Sequence, residues 1–208
     1  YPYCPDQSIQ LAPFTHLDGV IDLVYNPHRT GILLEAKSLG IPHVNGLIFL
    51  LSQAIAASAL FLHRTYDESI LSDLYKQFRQ DQENIILIGM PGSGKSTIGK
   101  ALANLTGRPL VDIDSRIIEE VGSISDYILT HGEAAFRTVE SNIISDIGKQ
   151  TGLIISTGGG AVTTPENFAP LRQNGRIYEI YRPLEELDTT GRVLSSGGIE
   201  RLQELYTV

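Results

Sequence analysis

Cysteine, methionine and basic charge are all scarce in this chain, and each scarcity removes a class of protein. The single cysteine, Cys4, excludes an internal disulfide framework and fits a reducing compartment, so a cytoplasmic location is expected. The only methionine, Met90, lies far from the start. Tyr1-Pro2-Tyr3-Cys4-Pro5 has neither the basic stretch nor the apolar core of a signal peptide. The chain is therefore expected to begin, and also to end, inside something larger. Only 16 Lys and Arg stand against 24 Asp and Glu among 208 residues, a formal charge of −8. That balance argues against nucleic acid as a partner, which calls for a basic face. A site for an anionic ligand has to be made cationic locally. Long apolar runs are equally rare. The one candidate, Gly46 to Leu62, falls short of the ~18–20 residues a membrane-spanning helix needs, and Ser52 and Gln53 sit at its centre. Its basic flank is only His63 and Arg64. It reads as a helix buried within an α/β domain, with no membrane partner.

What is present is a globular composition, 42% hydrophobic and 19% charged, long enough for one large domain or two small ones. The stretch Gly89-Met90-Pro91-Gly92-Ser93-Gly94-Lys95-Ser96-Thr97 satisfies G-x-x-x-x-G-K-[ST]. The apolar run Asn84 to Ile88 precedes it and Ile98 to Ala103 follows, giving strand, loop and helix. Gly92 and Gly94 let the backbone turn and approach a polyphosphate, and the N–H groups opening the next helix point into the loop. Gly92, Ser93, Gly94, Lys95, Ser96 and Thr97 form the expected nucleotide site. Lys95 is placed to bridge phosphates, and the Ser96 hydroxyl to ligate Mg²⁺.

Residues 1 to about 80 read as part of one α/β unit. Gly19 to Tyr25 is a β-rich run closed by Asn26-Pro27, Thr30 to Leu39 is helical and stops at Gly40, and Ile41 to Asn45 is a short strand. A polar amphipathic helix from about Asp67 leads into the acidic, amide-rich stretch 80–84, which marks the domain boundary. From Asn84 onward strands and helices alternate, which implies a parallel sheet covered on both faces. Strands are expected at Arg108 to Asp114, Leu153 to Thr157 and Arg176 to Tyr181. Gly191 to Gly198 reads as a glycine-rich loop.

Further groups narrow the chemistry. Asp112 and Asp114 fall at the C-terminal end of the second strand, where strand alternation points both to one face. Either they position Mg²⁺ and accept a hydrogen bond from an attacking hydroxyl, or they cap the following helix. Arg137 follows Glu133 by four residues and precedes Glu140 by three. It is either a helix salt bridge or an anion clamp that holds a carboxylate bidentately, with Glu140 orienting it. Ser156-Thr157-Gly158-Gly159-Gly160 ends a strand in three glycines, as a backbone that contacts a ligand does. Arg192 is either a lid arginine that closes on the phosphates or a solvated loop cation.

In this order GMPGSGKSTIGKALA, VDIDSRIIEE, GEAAFRTVE, ISTGGGAV and YRPLEEL resemble shikimate kinase, over residues 84–208. The resemblance implies a three-layer αβα P-loop kinase that transfers phosphate from ATP, with Mg²⁺, to the 3-hydroxyl of shikimate in chorismate biosynthesis. It implies catalytic roles for Lys95, Asp114 and Arg192. Mg²⁺ would lie at Ser96 and Asp112, and shikimate at Asp114, Arg137 and the Gly158–Gly160 backbone. Val193 stands where the family's lid has proline, and the family's second substrate arginine and final strand are not in this sequence, so the domain reads as C-terminally truncated. Residues 1–80 resemble the C-terminal portion of shikimate dehydrogenase in Asp22 to Thr30, Asn45-Gly46-Leu47 and Leu51 to Ala54. This implies a partial Rossmann-like segment fused to the kinase. No G-x-G-x-x-G follows a strand, so dehydrogenase activity is not expected. The alternatives are a P-loop kinase for another small hydroxy acid such as gluconate, or an inactive fragment that binds NADP or shikimate.

Overall fold

A computed structural model of the chain describes residues 9–183, and these divide into two units between Glu83 and Asn84. The boundary lies at the end of the acidic stretch, with a single residue, Glu83, between helix and strand. In the first unit β1 (Val20–Asp22) pairs in parallel with β2 (His43–Asn45), Ile21 opposite Val44. The Gly19–Tyr25 run thus yields a strand of three residues, as long as its partner. The crossover is α1 (Gly31–Ser38), which buries Leu33 and Ala36 and ends before Gly40, whose φ of +71° suits glycine. Thr30 Oγ1 donates to Asp22 Oδ2 at 2.5 Å and ties the start of that crossover to the strand.

The apolar run forms α2 (Leu47–Leu62), followed by α3 (Ile70–Gln82). Here the structure corrects the expectation of a buried helix. Only Leu47 of α2 is buried, while Leu60, Phe61 and Leu62 are 76%, 83% and 57% exposed. The helix is apolar on every side, and the described residues of its unit supply too few elements to enclose it. No helix among the described residues is long and apolar enough to cross a membrane.

The second unit is a four-stranded parallel sheet of β3 (Asn84–Ile88), β4 (Leu110–Asp112), β5 (Ile154–Ser156) and β6 (Gly175–Glu179), in the order β4-β5-β3-β6. The strand that feeds the phosphate loop is therefore central, with a partner on each side. Its run of apolar residues fits burial on both faces. Asn84 anchors its start, donating from Nδ2 to Gln150 O (2.7 Å) and accepting from Leu153 N (2.8 Å). Among the described residues five α-helices accompany the sheet: α4 (Lys95–Thr106), α5 (Ile113–Val121), α6 (Ile124–His131), α7 (Glu133–Gly148) and α8 (Phe168–Asn174).

Successive strand residues serve opposite faces. Ile86 and Ile155 join Ile117 of α5, Ile144 of α7 and Leu171 of α8 in one apolar cluster. The neighbouring Leu87 lies on the other side, under α4. A methyl on Gly99 of that helix would come within 2.9 Å of a Leu110 methyl carbon and 3.6 Å of one from Leu87. Helices thus cover both faces, the arrangement that an all-parallel sheet requires. Each of these fully buried isoleucines contributes ~1.5–3 kcal/mol. The expected strand Arg108–Asp114 stops at Asp112, because its side chain accepts the N–H of Ser115 (3.2 Å) and caps α5. Asp114 therefore lies in the first turn of a helix, and strand alternation does not govern where it points. The glycine-rich loop and Arg192 lie outside the described residues.

Candidate functional site

Between the end of β3 and the start of α4 the chain turns through Gly92 and Gly94, with φ of +83° and +97°, values that a side chain would strain. This delivers the N–H groups at the head of a twelve-residue helix to the loop, an arrangement suited to phosphate. Lys95 is buried at 5% exposure and reaches back across the loop. Its Nζ donates to the carbonyls of Gly89 (2.7 Å) and Met90 (2.9 Å). Ser93 Oγ is buried beneath the loop with no hydrogen-bond partner among the described residues. The loop therefore carries an ammonium, a ring of donors and an unsatisfied hydroxyl within a few residues.

Ser96 lies in the first turn of α4, and its Oγ donates to Asp112 Oδ2 at 3.1 Å. The two oxygens belong to different strand ends, β3 through its loop and β4 directly. Two hard oxygen donors at this spacing suit Mg²⁺, which takes one or two protein ligands and completes its shell from phosphate and water. No group of three or more acidic, histidine or cysteine side chains forms an all-protein metal cage among the described residues.

Lys95, Ser96, Asp112 and Asp114 line one side of a cavity of about 500 Å³. Apolar groups line it as well: Ile118 of α5, Ile124 and Ile128 of α6, and Phe136 of α7. Ser123 and Ser125 add hydroxyls at its edge. Such a volume suits a small molecule, and a few polar groups on an apolar wall are the usual make-up of a specific pocket. Sequence spacing does not single out the α6 wall. Its signal is the i, i+4 pair Ile124 and Ile128, which reads equally well as ordinary core.

The glycine triplet borders this cavity, but for a reason other than backbone freedom: none of the three has a positive φ. A methyl on Gly158 would sit 2.6 Å from Asp114 Oδ1 and 3.0 Å from Glu140 Oε1. One on Gly159 would strike Pro91 of the phosphate loop at 2.5 Å, and one on Gly160 the Arg137 guanidinium at 2.5 Å. The triplet is the floor on which the loop, the carboxylates and the arginine close in. Gly159 lines the cavity; the other two make room for its neighbours.

Arg137 is brought close but does not line the cavity. Its Nη1 donates to Glu140 Oε2 at 2.8 Å and its Nη2 to Glu133 Oε1 at 3.1 Å, so the helix salt bridge is realised on both sides. Glu140 is 1% exposed. Burial pushes its carboxyl above the ordinary glutamate value against the opposing pull of Arg137, and the nearby Asp114 and Glu133 add to the rise.

Comparison with known proteins identifies a family. The family model described as "Shikimate kinase" matches residues 91–196. The shikimate kinase of Nitrosomonas europaea is 43% identical over 132 residues, covering 60% of this chain and 63% of that protein. That of Caldicellulosiruptor bescii is 44% identical over 122 residues, covering 55% and 71%. Among solved structures, shikimate kinase from Acinetobacter baumannii in complex with shikimate shares 32% identity at a TM-score of 0.58, covering 64% of this chain and 78% of that one. The present chain thus spans between 63% and 78% of the length of these three relatives. The loop motif by itself indicates only a nucleotide, but a family match across half the chain fixes the lineage: the chain belongs to the shikimate kinase family, a family of phosphotransferases.

Proposed function

We propose that this chain catalyses transfer of the γ-phosphoryl group of ATP to the 3-hydroxyl of shikimate, with Mg²⁺, in the cytoplasm. The observation that carries the reading is the shared cavity that Lys95, Ser96, Asp112 and Asp114 line together. Lys95 would leave the Gly89 and Met90 carbonyls for the phosphates, and the loop N–H groups would hold the rest of the polyphosphate. Ser96 and Asp112 would hold Mg²⁺, which neutralises phosphate charge when bound. Asp114, at the head of α5, would accept the hydrogen bond of the attacking hydroxyl, which orients it or takes its proton. Arg137 and the Gly159 backbone would bind the acid. Arg192, outside the described residues, would close over the phosphates.

The test is turnover of shikimate with ATP by the wild-type chain and by Asp114→Asn. Asparagine keeps the shape and removes the charge, and turnover should fall about a hundredfold or more. Equal turnover would remove Asp114 from that role. No turnover by the wild type would sink the activity for this chain. Residues 1–80 belong to the same reading as a dehydrogenase-derived, Rossmann-like segment fused to the kinase at residues 84–208. The support is the parallel β1–α1–β2 crossover. A wild-type chain with shikimate kinase turnover and no NADP-dependent oxidation of shikimate is expected.

A further inference from the structure

The fork of Arg137 is filled by two carboxylates that differ in one respect. Glu133, one turn earlier on α7, is about half exposed, and its Oε1 stands 3.1 Å from Nη2. Glu140, one turn later, is 1% exposed, and its Oε2 stands 2.8 Å from Nη1. Glu140 is boxed in: its second oxygen, with Asp114 Oδ1, abuts the space over Gly158, and the guanidinium it holds is packed against Gly160. It cannot be hydrated without opening the core. Glu133 borders solvent, and exposed ion pairs of this kind are weak.

A substrate carboxylate seeking a bidentate hold on a guanidinium therefore meets both Nη atoms engaged, one by a buried carboxylate and the other by a half-exposed one. We propose that Glu133 is a displaceable stand-in for the substrate's carboxylate. It occupies Nη2 while the site is empty, and the acid replaces it there as Glu140 keeps Nη1 and the orientation of the planar group. One carboxylate exchanges for another, so charge at the guanidinium balances and no bond is made or broken. Two consequences follow. Affinity for the acid is set by the difference between two carboxylates, and a neutral analogue lacks the charge to evict Glu133. Glu133 is then a specificity-determining residue, acting through Arg137 and touching no reacting atom.

This inference rests on the reading of the cavity as a shikimate site, and the experiment separates the two. Dissociation constants for shikimate and for its methyl ester are measured on the full chain as wild type, Glu133→Gln and Glu133→Ala, with thermal melting to confirm folding. Both variants should bind shikimate about two- to fivefold more tightly, the factor that loss of an exposed ion pair allows. Binding of the ester and KM for ATP should stay unchanged. A wild type that binds shikimate, with folded variants that bind it no more tightly, overturns this inference alone. Equal gains for acid and ester overturn it too. A wild type that binds neither ligand overturns the site reading along with it.

Discussion

The two units are written in the same alternation of apolar runs and turns, yet they differ in how much apolar surface they hide. In the second, isoleucines from two strands and two helices meet in one cluster, with Ile86, Ile113, Ile117, Ile144 and Ile155 fully buried. In the first, the buried apolar residues among those described are Leu11, Leu33, Ala36 and Leu47, while Ile21, Leu23, Phe49, Leu60, Phe61 and Leu62 are more than half exposed. The difference is one of partners. The central strand β3 has a strand on each side and helices above and below. The pair β1–β2 has a single crossover helix, and α2 is apolar all round with contact mainly to α3. An apolar sequence secures burial only where neighbours exist to complete it.

Function sharpens that contrast most. Chemistry located in the second unit means that Lys95→Met should reduce phosphoryl transfer about 10³-fold, read by coupled ADP release. The substitution His28→Gln in the first unit should leave turnover within about twofold. Comparable losses from both would break the assignment of activity to one unit.

The next effect is on stability. Ile155→Ala removes a fully buried side chain beside Ile86 and should cost ~2–4 kcal/mol in denaturant unfolding. Phe61→Ala, at a position 83% exposed, should change stability by no more than ~0.5 kcal/mol. A large cost for Phe61→Ala would mean that the exposed face of α2 is covered in solution.

The smallest effect, and the one with opposite signs, is with pH. Burial, with Arg79 and Arg29 beside it and Glu83 opposing, pushes His28 below its usual 6.5. Its contribution to folding is complete above 6.5 and is lost as pH falls from there through the lowered folded value. Glu140 is raised above 4.5 by burial. Its contribution is complete below 4.5 and is lost as pH rises through the raised folded value. Across pH, His28→Gln should therefore remove the loss of stability seen as pH falls below 6.5, and Glu140→Gln the loss seen as pH rises above 4.5. Changes of the same sign with pH in both variants would contradict the two environments.

Much of the second unit is legible in the sequence because its signals are local. A loop that must approach phosphate needs Gly92 and Gly94 wherever the rest of the chain lies, and a central parallel strand needs an unbroken apolar run. Sequence and structure part where neighbours decide. Strand alternation misplaces Asp114, because of the two readings the sequence leaves open the helix cap is the one realised: Asp112 caps the Ser115 N–H and the helix starts at Ile113. The exposure of α2 is unreadable because hydrophobicity states a preference, while burial requires a partner. Spacing sets Arg137 within reach of Glu133 and Glu140, but its pairing with both at once depends on rotamers that spacing only permits. The apolar wall from α6 escapes notice because isoleucines at helical spacing look alike in a pocket and in a core.

The three consecutive glycines have a consequence beyond this cavity. Each vacant Cβ position is held open for a different neighbour: carboxylates for Gly158, the proline of the phosphate loop for Gly159, the guanidinium for Gly160. Evolutionary drift at this corner is therefore channelled. An alanine at one of these positions can be accommodated only by remodelling its own counterpart, so tolerated changes here should arrive as matched pairs rather than singly.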